Sequence, residues 1–159
     1  MAIDERAGVV PKMKLVAQNR KARFQFHLLQ KMEAGIELRG TEVKALRNGS
    51  VSLTEAYCKI DGGEIYLHNA NISQYSHGNV WNHDPVRPRK LLLHKNEILR
   101  LDQKVKERGL TLVPTRLYFN ERGKAKVEIA LAKGKKLYDK REDIAKRDLE
   151  RRLRSRTDR

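Results

Sequence analysis

Two pairs of alternating segments, each doubled back by a glycine-containing turn, restrict this chain to an antiparallel architecture. Glu55–Ile60 and Glu64–Asn69 flank Asp61-Gly62-Gly63, whose glycines permit the positive φ angles of a tight hairpin. Thr111–Asn120 and Lys124–Ala132 flank Asn120-Glu121-Arg122-Gly123 in the same manner. In the last segment Val127, Ile129 and Leu131 alternate with Lys126, Glu128 and Ala130, so one face is core and the other meets water or a ligand. A βαβ repeat needs long crossovers, and these spacings are hairpin-sized.

The remaining segments fit around that frame. Residues Met1–Leu15 have no sustained period and read as a mobile arm. Phe26, Leu29 and Met32 recur at helical spacing before a stop at Gly35, followed by a short strand at Ile36-Glu37-Leu38. Thr41 is placed to cap a helix running to Arg47, with Gly49 ending it. Ala70–Tyr75 continues or pairs beside the first hairpin, and Ser76–Arg89 reads as a long mobile loop containing Trp81, Pro85 and Pro88. A helix over Lys95–Arg108 buries Ile98, Leu101 and Val105 and closes at Gly109. The expected fold is mainly β with short helices: a closed antiparallel OB-like barrel of six strands with about three helices, and a basic C-terminal tail. Closure removes the sheet edges that invite aggregation. The expected divisions are an arm at 1–15, a barrel at 16–134 and a tail at 135–159.

Charge narrows the partners. Lys and Arg number 35 against 20 Asp and Glu, a net charge of +15. Such an excess repels itself in a free globule and points to a polyanion, nucleic acid or an anionic membrane. No apolar run reaches the length that spans a bilayer, no signal-peptide core is present, and no long helix combines a basic face with an apolar one. The lone Cys58 forms no internal disulfide and suits a reducing cytosol. Lys133–Arg141, KGKKLYDKR, stands where the folded body ends, four lysines and one aromatic ring that could meet phosphates and an unpaired base. Beyond it, Asp139–Arg159 carries nine Lys and Arg, six Asp and Glu, and few apolar residues. It lacks helix breakers and has opposite charges at i,i+3 and i,i+4, so the expectation is disorder when free and a helix in a polyanionic groove.

Enzyme chemistry finds little footing. Neither GxGxxG nor GxxxxGK[ST] occurs, and His77, His83 and Asp84 match no metal-ligand spacing. His27 and His68 read as packing or surface residues. No cofactor, metal or catalytic residue is expected.

In chain order the motifs resemble the small protein B family. Asn19-Arg20-Lys21-Ala22-Arg23 is similar to its opening, and Glu33-Ala34-Gly35-Ile36 with Gly40-Thr41-Glu42-Val43-Lys44-Ala45-Leu46-Arg47 to its signature. Asn82-His83-Asp84-Pro85, Arg89–Leu93, Gly109–Pro114, Leu117-Tyr118-Phe119 and Lys133–Arg141 follow, so the resemblance runs from about Asn19 to Arg141. It implies a cytoplasmic, monomeric factor that is not an enzyme and has no cofactor. Family members bind the tRNA-like domain of tmRNA and help deliver it, alanylated and with EF-Tu and GTP, to ribosomes stalled on messages without a stop codon. The positions matching the family's tmRNA contacts are Asn19, Glu33, Leu92 and Lys126, with basic neighbours Lys21, Arg23 and Lys90. The ribosome-facing positions are Lys133, Lys135, Lys136, Tyr138, Asp139, Lys140 and Arg141, the tail entering the decoding centre and the empty mRNA channel. Position 138 is Tyr here where other members carry His; both rings can stack.

The residue chemistry leaves alternatives beside these roles. Glu33 either orients a cation or accepts hydrogen bonds from base N–H and ribose 2′-hydroxyl groups, which cations cannot do. Leu92 is core, or the one of Leu91-Leu92-Leu93 that alternation points outward. Asn19 either meets RNA or caps a helix. The competing function is a general RNA-binding OB module, which usually carries an aromatic stacking row; Tyr57, Tyr66, Tyr118 and Phe119 form no obvious one.

Overall fold

The computed structural model describes residues 13–74, 82–135 and 137–157, with the side chains of 137–139 and 156–157 outside that description. β1 (Lys14–Gln18) passes through Asn19 into α1 (Arg20–Gln25) and the long β2 (Phe26–Ile36). Then come α2 (Gly40–Arg47), β3 (Val51–Ser52), β4 (Tyr57–Asp61), β5 (Glu64–His68), β6 (Asn71–Ile72) and β7 (Arg89–Leu92). α3 (Lys95–Arg108), β8 (Thr111–Phe119), β9 (Ala125–Gly134) and α4 (Leu137–Thr157) complete the chain. Seven strands form one antiparallel sheet in the order β1-β8-β4-β5-β7-β2-β9, and β8 also pairs with β9. β3 and β6 make a separate pair.

Both hairpins and α3 fall where alternation and caps place them. Gly109 ends α3 at φ 62°, and Gly62 and Gly63 take φ 60° and 78° in the β4–β5 turn. The core is built from the inward rows of these strands, with Ile65, Leu67, Leu91, Val127 and Ile129 fully buried. Each such side chain contributes about 1.5–3 kcal/mol by leaving water.

Elsewhere the structure differs from expectation. The apolar residues of 26–32 lie on a strand, not a helix. β2 contains a bulge between Leu28 and Gln30, and an extra residue there swaps which face successive side chains meet. Phe26 and Leu28 therefore pack with Ala22, Val113, Ala130 and Ala132, whereas Met32, Ala34 and Ile36 join the main core. Leu29, at the bulge, is exposed. A strand that changes face loses the two-residue period, and the remaining spacing mimics a helix. Gly35 lies inside β2 rather than ending a helix, and Lys14 and Leu15 belong to β1 rather than to the arm; the arm's residues 1–12 lie outside the described residues.

Thr41 does not cap α2. Its hydroxyl bonds His83 Nδ1 at 2.8 Å, and the Arg39 N–H is taken by Glu42 Oε1 at 2.7 Å. His83 Nε2 lies 2.8 Å from the carbonyl of Ile72, an acceptor only, so Nε2–H donates there and Nδ1 is left to accept from Thr41. The described part of the long loop, from Asn82 to Pro88, is thus pinned rather than mobile, and Ser76–Trp81, with His77, lie outside the described residues. Arg89 completes the pinning. It is wholly buried, donates from Nε to Glu42 Oε2 at 2.6 Å, and reaches the carbonyls of Ala70, Arg87, Asp84 and Pro85.

The tail forms a fourth helix where three were expected in all. α4 covers 21 residues of that segment, Leu137–Thr157. Good helix formers with i,i+3 pairs such as Asp148–Arg151 favour it, and it has something to lean on. Lys135 donates to the carboxylate of Asp143, and the Arg147 guanidinium lies 5.1 Å from the ring centre of Phe24 on α1.

Candidate nucleic-acid interface

The register across four strands sets the site. Tyr118 on β8 stands opposite Lys126 on β9, Lys126 opposite Gly35 on β2, and Gly35 opposite Leu92 on β7. Residues in one cross-strand row share a face, so this row lies on the outer side of the sheet. The next row carries Arg116, Glu128 and Glu33.

Gly35 makes a trough in the first row. A Cβ there would stand 3.1 Å from Leu92 Cβ and 3.4 Å from its Cδ1, closer than neighbours normally sit. The resulting cleft of about 500 Å³ is lined by Glu33, Lys90, Leu92, His94, Lys95 and Lys126, among others. Leu91 is fully buried while Leu92 is 48% exposed, so alternation does turn one leucine of the run outward. Lys90 Nζ lies 3.4 Å from Glu64, an exposed pair that holds it loosely. Among the described residues Lys126 has no acidic partner. Glu33 accepts a hydrogen bond on Oε2 from the Tyr118 hydroxyl. Burial foremost, and then that bond, push the Tyr118 phenol's pKa well above its usual range.

Four of the sequence-predicted RNA residues, Glu33, Lys90, Leu92 and Lys126, therefore meet in one cleft. Asn19, Lys21 and Arg23 do not line it: Asn19 caps α1, and Lys21 and Arg23 lie on that helix. Asn19 is 5% exposed and fully engaged: Oδ1 accepts from Ala22 N–H at 3.2 Å and Nδ2 donates to the Pro114 carbonyl at 3.0 Å. Its own N–H donates to Thr115. Pro114 and Thr115 lie at a bulge in β8, where a proline can sit in a strand but leaves the ladder interrupted. Asn19 repairs that interruption and caps α1 at once. Lys21 is exposed and paired with Glu55 at 3.1 Å, and Arg23 is exposed beside it.

The residues matching the ribosome-facing motif separate as well. Lys133 is exposed at the end of β9. Lys135 has a side chain only 9% exposed, donating to the Arg23 carbonyl and to Asp143, so it holds α4 to α1 rather than projecting. Lys140 is half-buried and Arg141 exposed on α4. Lys136 and the side chains of Tyr138 and Asp139 lie outside the described residues. Among the described residues the strand aromatics form no stacked row: Tyr57 stacks on His68 with centroids 5.2 Å apart, and Phe119 is core.

Sequence reasoning passed over Tyr118, Gly35 and the Glu42–Arg87–Arg89 cluster as parts of the site. Only register brings Tyr118 to Glu33, and only loop closure brings Arg89 to Glu42. Among the described residues no cluster of His, Cys, Asp and Glu could hold a metal, and no helix is long and apolar enough to cross a membrane.

Known proteins resemble this chain over most of its length. A family model described as SmpB protein matches residues 16–159. An SsrA-binding protein of Thermosipho africanus is 60% identical over 141 residues, covering 89% of this chain and 95% of the relative. One from Sphingopyxis alaskensis is 54% identical over 151 residues, covering 95% and 94%. A solved chain, described as "tmRNA-SmpB: a journey to the center of the bacterial ribosome", superposes with a TM-score of 0.64 at 53% identity, covering 76% of this chain and 84% of the other.

Proposed function

This chain belongs to the SmpB family, and on that premise we propose that it binds the tRNA-like domain of tmRNA and brings it to stalled ribosomes. The observation that carries this reading is the convergence of Glu33, Lys90, Leu92 and Lys126 on one outward cleft. Lys126 and Lys90 attract phosphate, Leu92 offers an apolar surface to a sugar or base, and Glu33 accepts from donors that only bases and riboses present. α1 supplies a second basic element, with Asn19 as its positioning residue rather than an RNA contact. The β8–β9 pairing links the last strand of the order back to the second, making a ring of β8-β4-β5-β7-β2-β9 with β1 appended to β8, which supports a closed six-stranded barrel of the OB kind around the core. The protein acts as a cytoplasmic binding factor, a monomer without cofactor or catalytic residue, and meets EF-Tu with GTP through the alanylated RNA. The helix α4, including Tyr138, Asp139, Lys140 and Arg141, serves the ribosome: it enters the decoding centre and the vacant mRNA channel.

Titration of a tRNA-like-domain transcript tests the division of labour. Glu33→Ala should weaken binding about tenfold, since an acceptor for RNA donors disappears. Truncation after Lys135 keeps the cleft and the bonds of Lys135 to α1, and should change affinity less than about threefold. A truncation cost above about 1.4 kcal/mol, a tenfold change, would show that the tail carries tmRNA binding.

The trough itself gives a second expectation. Gly35→Ala forces Leu92 to shift by several tenths of an ångström while leaving every charge in place. Affinity for the same transcript should fall severalfold, on the order of a 1 kcal/mol loss for a displaced apolar contact, with the salt dependence of binding unchanged. Wild-type affinity in Gly35→Ala would remove Leu92 from the interface.

A further inference from the structure

We propose that Tyr118 is the positioning residue for the Glu33 carboxylate, fixing which oxygen the RNA meets. The inference rests on the cleft reading above and adds a residue that lies outside the cleft's own lining. Glu33 and Glu128 are direct cross-strand partners on β2 and β9, an arrangement in which like charges repel. Left alone, two such side chains would sample rotamers that keep them apart, and an exposed glutamate would pay entropy whenever it bound.

The outer face assigns each carboxylate its own partner. Arg116 donates from Nε to Glu128 Oε2 at 2.7 Å, and Lys31 Nζ stands 4.0 Å from Glu128 Oε1. Tyr118 donates its hydroxyl to Glu33 Oε2, reaching diagonally past Lys126. Tyr118 itself is 5% exposed, with the Arg116 guanidinium 5.7 Å from its ring centre, so the donor is held by packing while the acceptor sits at the surface. A ring this buried cannot stack on a base, and its hydroxyl is committed to Glu33. Among the described residues nothing engages Glu33 Oε1, which is left to accept from a base N–H or a 2′-hydroxyl. The raised phenol pKa keeps the donor protonated at any physiological pH.

A double-mutant cycle reads the coupling, with a tRNA-like-domain transcript as probe and Tyr118→Phe and Glu33→Ala as variants. Tyr118→Phe keeps the ring and removes one oxygen. It should weaken binding about fivefold in the wild-type background and less than about twofold in the Glu33→Ala background, because the hydroxyl acts only through Glu33. An equal cost in both backgrounds would mean direct contact or general structural loss, and would overturn the proposal, as would unaltered binding by Tyr118→Phe. A second readout needs neither RNA nor a Tyr118 variant. Glu33→Ala should bring the Tyr118 phenol's ionisation to lower pH, followed by NMR of ring-labelled tyrosine; no movement overturns the hydrogen bond and the proposal with it. The two failures stay distinct. Binding unaffected by Glu33→Ala sinks the cleft reading itself, whereas a loss on Glu33→Ala without one on Tyr118→Phe sinks only the role given to Tyr118.

Discussion

Replacing Asp139, Lys140 and Arg141 together with alanine is expected to leave tmRNA binding within about twofold while lowering peptide tagging on stalled ribosomes about a hundredfold. The asymmetry follows from where the groups stand. The cleft is lined by residues of β2, β5, β7, β9 and the start of α3, all upstream of the tail, whereas these three residues occupy the first turns of α4. At ~1.5 Å per residue the 21-residue helix is ~32 Å long, a rod suited to a channel rather than to a pocket. Among the described residues its contacts with the body are few. The Lys135–Asp143 pair joins a mostly buried ammonium to a carboxylate still 38% exposed, and Arg147 over Phe24 is an exposed contact of the kind worth about 0.5–1 kcal/mol. Such a helix can leave α1 at small cost and exchange those contacts for rRNA phosphates. Since a message occupying the channel would exclude it sterically, the tail would report a stalled ribosome without any catalytic group. Tagging is measured in a reconstituted translation reaction on a message lacking a stop codon, with alanylated tmRNA and the triple variant. Normal tagging by that variant would sink this role for the tail.

How much of this was legible beforehand depended on how local the determinant is. α3 announces itself through Ile98 and Leu101 on one face and Gly109 at its end, and both hairpins through their glycines, because caps and turns are decided by neighbours in sequence. That one leucine of Leu91-Leu92-Leu93 turns outward could be read from strand alternation, with Leu92 left between core and surface. β2 could not be read: one bulged residue reverses the face of Phe26 and Leu28 relative to Met32 and Ala34, and no local pattern records it. The cleft was half visible. Its members were nameable, but that Glu33 and Lys126 meet while Asn19 turns inward to Pro114 depends on strand register and on a β8 bulge 95 residues from Asn19 in sequence. Asn19 also shows how one residue satisfies two readings, since its capping role is what sets Lys21 and Arg23 on the surface. The tail's helix was anticipated as a bound state, and the contacts with Phe24 and Lys135 that lie beside it join segments about 110–125 residues apart.

The least legible element should also be the most costly to disturb. Glu42 and Arg89 are both wholly buried and 47 residues apart, joined at 2.6 Å, with Arg87 adding a second guanidinium to the same carboxylate at 2.5 Å. Burial alone would raise the Glu42 pKa, but Arg87, the Arg39 N–H and Arg89 outweigh it and hold the group below the usual carboxylate range. Glu42→Gln removes the counter-charge and leaves Arg89 buried as an uncompensated cation, which typically costs about 3–5 kcal/mol. For a chain of this size each kcal/mol is about 2–4 °C, so thermal denaturation should show Tm lowered by roughly 10 °C. Arg89→Lys should be nearly as damaging although it keeps the charge. A lysine offers one ammonium on a flexible stem in place of a planar fork that reaches Glu42 and four separate carbonyls. The pH dependence has a definite sign. Because the folded pKa of Glu42 is depressed, its contribution is complete above the unfolded value near 4.5 and is lost as pH falls through the folded one. Wild type should therefore lose stability relative to Glu42→Gln on acidification below about pH 4.5, and the two melting curves should converge there. Parallel curves at every pH, or a Glu42→Gln loss under ~1 kcal/mol, would show that the cluster is not what holds the loop. The consequence reaches the cleft, because Arg89 is the first residue of β7 and the same four-residue strand carries Lys90 and Leu92. A chain that cannot seat Arg89 cannot place them, so RNA affinity in Glu42→Gln should fall together with the melting temperature, whereas Glu33→Ala lowers affinity and leaves Tm near wild type.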